Sequence, residues 1–140
     1  MLKKFQILVI EDNPADSRLL QEVFTQLSSN VVLRSAKDGA EALEVVSALA
    51  ASGERPDLVL LDLNLPKLSG HEVLAHIKQD PRLSSTPVIV LTSSAAEADV
   101  KRAYEYHANA YLRKPVTLDG LLATVGQIKH FWMDTATLPR

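Results

Sequence analysis

Cysteine is missing altogether from the 140 residues. That excludes a disulfide framework and any thiolate metal site, and it favours a reducing, cytoplasmic setting. Also missing is any apolar run near the roughly 18 residues that cross a bilayer. The short apolar stretch after Lys4 ends at Glu11 and Asp12, too soon for a signal-peptide core. There is no basic excess, since 15 Lys and Arg face 17 Asp and Glu for a net charge of -2, so nothing marks a nucleic-acid footprint. No Gly-rich phosphate loop, internal repeat or interdomain linker occurs. His71, His76, His107 and His130 lack metal-ligand spacing and read as surface or cap residues. What is present, 46% hydrophobic and 23% charged residues, suits one soluble domain with a single core.

The chain is organised around residues 58–70, an apolar run that stops at Asp62 and continues through Asn64 and Pro66 to Gly70. This reads as a buried strand with a carboxylate at its carboxyl end, and in open parallel sheets ligands bind beyond such ends. Before it, Phe5 to Ile10 forms another apolar strand, stopped by Glu11, Asp12 and Asn13. Pro14 then opens a helix with Leu19, Leu20, Val23, Phe24 and Leu27 at helical spacing. Val31 to Ala36 alternates weakly as a strand, and Asp38 can cap a helix with Ala40, Leu43, Val46 and Leu49 on one face. Residues 51–57 form a loop. After the central strand, Gly70 starts a helix marked by Val73, Leu74 and Ile77 that closes near Asp80 and Pro81.

Residues 87–94 are β-branched and apolar until Thr92, Ser93 and Ser94, and so form a fourth strand with hydroxyls at its end. A helix over 97–106 has only a thin stripe of Val100, Ala103 and Tyr104, which predicts weak packing and mobility. Ala110 to Arg113 is a short strand left by Lys114 and Pro115. Thr117 caps a last helix carrying Leu118, Leu121, Leu122, Val125 and Ile128. Phe131 and Trp132 lead into an irregular tail, giving a domain over 1–130, a tail over 131–140 and no separate output domain. Strand and helix alternate five times with crossover-length connections. The fold class is therefore α/β, a doubly wound parallel sheet with helices on both faces.

Putting the strand ends on one rim gathers Glu11, Asp12, Asp62, Thr92 and Lys114. Carboxylates crowded there repel one another without a cation, and all-oxygen ligation suits Mg²⁺. A carboxylate beside such a cation can attack phosphorus and become an aspartyl phosphate, while a hydroxyl and an ammonium bind the transferred oxygens. Taken singly, Glu11 and Asp12 suit a turn and cap, Asp62 an Asx-turn, Thr92 a strand end and Lys114 a solvated charge. All of them on one rim in strand order is poorly explained by coincidence.

Glu11-Asp12 after the first strand, Leu61-Asp62 followed by Pro66 and Gly70, Thr92-Ser93, and Tyr111 with Lys114-Pro115 resemble the receiver domains of two-component response regulators over essentially the whole chain. The resemblance implies a flavodoxin-like strand order 2-1-3-4-5. It makes Asp62 the acceptor of phosphate from a sensor histidine kinase, and it has Asp12, Asp62 and the backbone carbonyl of Asn64 ligate Mg²⁺. Glu11, where the family often has Asp, supports the metal through water. Thr92 and Lys114 bind the phosphoryl group, and Tyr111 is an aromatic switch, turned outward without phosphate. The protein is then a phosphoacceptor rather than an enzyme. The resemblance also suggests a cis Lys114–Pro115 bond and a left-handed His107, where relatives carry Gly.

Residues 13–24, 62–67 and 104–107, with Phe131-Trp132 and the Leu-Pro tail, are similar to the stand-alone response regulators of cyanobacterial phytochromes. That implies a light-sensing kinase partner and a homodimer through the fourth helix, the fifth strand, the last helix and the tail. Two rivals use the same fold class. A haloacid dehalogenase-type phosphatase wants a second Asp two residues after the nucleophile, where this chain has Asn64. A phosphorylation-independent scaffold would be expected to lose members of the pocket.

Overall fold

A computed structural model describes residues 3–139. Five strands, β1 (Phe5–Ile10), β2 (Val31–Ala36), β3 (Leu58–Leu61), β4 (Val88–Thr92) and β5 (Ala110–Arg113), form one parallel sheet in the order β2-β1-β3-β4-β5. Successive strand side chains point to opposite faces, so the near-continuous apolar runs feed two cores. Leu8, Ile10, Val59, Leu61, Val88 and Val90 enter one core, and Ile7, Val9, Leu58, Leu60, Ile89 and Leu91 enter the other. The first core is covered by α2 (Gly39–Ala51), α3 (Gly70–Gln79) and α4 (Glu97–Glu105). The second is covered by α1 (Pro14–Leu27) and α5 (Leu118–Ile128). Each buried aliphatic side chain contributes about 1.5–3 kcal/mol, which fixes the sheet as the rigid part of the molecule.

Helix starts follow the sequence: Asn13, Asp38, Ser69 and Thr117 each accept a backbone N–H from the first turn of the helix they open. The apolar faces are narrower than their spacing suggests. α2 buries Ala42, Val46 and Leu49 while Leu43 points to solvent, because the small Ala42 lets the helix approach the sheet. In α1 the buried side is Ser17, Leu20, Val23 and Phe24, with Leu19 and Leu27 at its margins. α4 buries Ala103 alone and has Ala96 at its N-cap without a side-chain hydrogen bond. Its C-terminus ends as expected in a left-handed residue, His107 with φ 72°.

Three expectations need correction. No peptide bond is cis among the described residues, Lys114–Pro115 included. The trans chain already serves the site, since the Lys114 N–H continues the β4–β5 ladder onto the Thr92 carbonyl at 2.7 Å. The chain beyond α5 first winds on as a π-helical segment, Lys129–Thr135, and only residues 136–139 are irregular. Trp132 and Met133 pack from it against the α1–α5 core, so the apolar tail finds a place on its own domain. His71, read as a surface or cap residue, is buried at 5% exposure. It shares an α3 face with Leu74, and a carboxylate on α4 lies 3.2 Å from its Nε2, while its Nδ1 is buried without a hydrogen-bond partner among the described residues.

Candidate functional site

The parallel register carries the ends of β1, β3, β4 and β5 to one rim. Asp62 follows β3 directly, and its backbone N–H donates to the Ile10 carbonyl of β1 at 3.0 Å. The loop from Asp62 to Gly70 is folded hard against the strand. Gly70 donates to the Leu63 carbonyl at 3.0 Å, and a Cβ on Gly70 would stand 2.3 Å from Leu63 Cα and 2.6 Å from the Asp62 carbonyl. Only glycine lets α3 start there without displacing the residue that carries the carboxylate.

The Asp62 carboxylate is fully engaged. Its Oδ1 accepts from the Thr92 hydroxyl at 3.0 Å and from the Asn64 N–H at 3.0 Å, and its Oδ2 accepts from Lys114 Nζ at 2.8 Å. Lys114 also donates to Glu11 Oε1 and, at 3.2 Å, to Asp16 Oδ2. Burial works against the charge on Asp62, but the Lys114 amine and the Asn64 N–H outweigh it and hold the carboxyl below its usual range. Glu11 moves the other way, pushed up to about 7 by burial and by the neighbouring Asp62 charge. Burial likewise opposes the Lys114 charge, yet its bonds to Asp62 and Glu11 raise the amine above the usual lysine value.

Asp62, Thr92, Lys114 and Glu11 thus come together, and Asp12 and Asn64 stand exposed beside them on the same rim. Tyr111 lies apart from the carboxylates. Its ring is half-buried against the core that contains Ala103 rather than turned outward, and its hydroxyl donates to the Ser94 carbonyl at 2.9 Å. Ser94 also donates to Asp99 Oδ2 at 2.6 Å, and Asp99 Oδ1 faces His71 Nε2 at 3.2 Å. This chain of contacts links the end of β4 to α3, α4 and β5. Sequence reading missed Asp16, Ser94, Asp99 and the burial of His71. For Asp16 the signal was available, an acid in the first helical turn beside the rim. For the His71–Asp99 pair, 28 residues apart, there was none.

Among the described residues no three His, Asp or Glu side chains stand ready as a metal cage. Lys114 lies where their charges converge. The donor chemistry nevertheless fits a hard divalent cation. Glu11, Asp16 and Asp62 surround a single ammonium with Asp12 exposed on the same rim, an excess of carboxylate oxygens that suits added positive charge.

Residues 7–126 match the family model described as the response regulator receiver domain. Response regulator Rcp1 of Synechocystis sp. is 48% identical over 138 residues, covering 95% of this chain and 92% of that protein. The crystal structure of the phosphorylated cyanobacterial phytochrome response regulator RcpA superposes with a TM-score of 0.89 at 43% identity, over 98% of this chain and 99% of that one. The Mn²⁺-bound form of Rcp1 does so with a TM-score of 0.84 at 46% identity, over 97% and 99%.

Proposed function

The chain belongs to the response regulator receiver family, and from that premise we propose that it is a stand-alone response regulator that takes a phosphoryl group from a sensor histidine kinase onto Asp62. The observation that carries this reading is the flanking of one buried carboxylate by the Thr92 hydroxyl and the Lys114 ammonium. An Asp62 oxygen attacks phosphorus, the bond from phosphorus to the kinase imidazole breaks, and the histidine leaves. Lys114 exchanges its Asp62 contact for a phosphoryl oxygen, and the Thr92 hydroxyl turns toward another. Ser93, small and exposed, leaves room beside them. Asp12, Asp62 and the Asn64 carbonyl would hold Mg²⁺, with Glu11 supporting it through water. When bound, the ion supplies charge shielding for a nucleophile and phosphoryl group that otherwise repel. The Mn²⁺-bound relative supports a divalent site of this kind.

The light-sensing class of kinase is supported by the resemblance to Rcp1 and RcpA. Output is expected through the surface of the domain. The face of α4, β5 and α5 presents an edge strand with one neighbour and a half-exposed Tyr104, which suits pairing of two copies. No helix among the described residues is long and apolar enough to cross a membrane, in keeping with a cytoplasmic partner of a kinase. Acetyl phosphate with Mg²⁺, read by intact mass, should add one phosphoryl group to the wild type and none to Asp62→Asn. Labelling of that variant, or of wild type with chelator present, would remove Asp62 from its role. Light scattering across a concentration series with beryllofluoride and Mg²⁺ checks the pairing, and a monomer under all conditions would refute it.

A further inference from the structure

Asp16 has no part in the chemistry above, yet it completes the ion pair at the mouth of the pocket. Lys114 joins Glu11 with 3% of its side chain exposed, Asp62 with 6% and Asp16 with 45%. These three carboxylates therefore mark a path for the ammonium from the interior to solvent. Asp16 is held there by the start of α1. Asn13 Oδ1 accepts the N–H of Ala15 at 2.9 Å and of Asp16 at 3.2 Å, while the Asn13 N–H donates to Glu11 Oε2 at 3.2 Å. Glu11 and Asp16 are thereby tied to one piece of backbone, facing Lys114 from across the rim.

Glu11 and Asp62 are also carboxylates that the assigned Mg²⁺ requires. A divalent ion held there would compete with Lys114, which sits on Asp62 Oδ2 and Glu11 Oε1, and an ammonium loosened from buried carboxylates without another partner is strongly disfavoured. We propose that Asp16 is a positioning residue for Lys114. It would keep the ammonium paired at the rim when a divalent cation draws on the charge of Glu11 and Asp62, and so leave the amine within reach of an incoming phosphoryl group. The inference rests on the receiver reading only for the identity of that cation and that group.

Two plainer roles are separable from this one. An acid in the first turn favours a helix N-terminus, and a fourth carboxylate attracts a cation by charge alone; neither involves Lys114. The test is a double-mutant cycle on the full ¹⁵N-labelled chain, with Mg²⁺ binding followed by the Asn64 amide resonance, which needs no phosphorylation. With Lys114 present, Asp16→Asn should raise the half-saturating Mg²⁺ concentration about fivefold. In a Lys114→Met background the same change should matter by less than about twofold. Equal factors in both backgrounds would reduce Asp16 to bulk charge, and no change in either would leave it a helix-start residue; each overturns the proposal. A wild type that binds no Mg²⁺ overturns the metal assignment beneath it as well, whereas normal Mg²⁺ binding without phosphorylation on acetyl phosphate would break the receiver reading alone.

Discussion

The centre of the sheet and its β5 edge are built to different standards. Every residue of β3 and β4 is buried, and Ile7 to Ile10 of β1 are at most 1% exposed, with an apolar layer against each face. β5 is half-buried and has one neighbour, while α4 beside it buries only Ala103 and starts without a side-chain cap. Asp62, the proposed phosphoryl acceptor, is mounted on the first region, and Tyr111, the ring proposed to report it, belongs to the second. A phosphoryl group at Asp62 can therefore leave the central strands where they are and still move α4 and β5, whose displacement opens little core. The connection is short. Thr92 ends β4 against Asp62, and two residues later the Ser94 carbonyl holds the Tyr111 hydroxyl.

The contrast can be broken first by stability. Leu60→Ala, at a site 1% exposed, should cost about 3 kcal/mol in a urea titration, whereas Tyr104→Ala on α4, 49% exposed, should cost under about 1 kcal/mol. Equal losses would mean that the edge is as firmly packed as the centre. Next comes pH. Burial and the neighbouring Asp62 charge push Glu11 up to about 7 from its ordinary 4.5, so the native state binds this proton more tightly than the unfolded chain does. That contribution is complete below the unfolded value and is lost as pH rises through the folded one. Asp62, lowered from 3.8, acts with the opposite sign, but only at more acid pH. Without Mg²⁺, stability should fall by on the order of 1–2 kcal/mol between about pH 5 and pH 8. Glu11→Gln should flatten that fall, and an unchanged slope in the variant would assign it elsewhere.

Smaller effects are expected at the edge. Tyr111→Phe removes the bond to the Ser94 carbonyl and should cost about 1 kcal/mol. It should also speed amide exchange in residues 94–99 while leaving β3 untouched. Ala96→Ser supplies the missing cap of α4 and should stabilise the protein by about 0.5 kcal/mol. If that variant still shows the wild-type response to a phosphate mimic in α4, fraying of the helix start has no part in switching.

What the sequence disclosed divides along the same line. Runs such as 58–61 and 88–92 declare buried strands because both faces of a parallel sheet are covered, and the residue that ends each run is then placed on the rim by topology alone. The positions of Asp62, Thr92 and Lys114 were legible for that reason, whereas the left-handed helix end at His107 came from the family resemblance. Contacts that depend on two helices meeting were not. His71 reads as polar and hence exposed until Asp99 arrives from α4, and Leu43 reads as core until the smaller Ala42 takes its place. Trp132 was read as leading into an irregular tail because the π-helical continuation that packs it on the core has no local signature.

Amide hydrogen exchange of the metal-free protein and of the protein loaded with Mg²⁺ and beryllofluoride tests the division most directly. Slow exchange through β1, β3 and β4 in both states, with changes concentrated in residues 93–113, is the expected result. Changes spread evenly through the central strands, or none in α4 and β5, would contradict it.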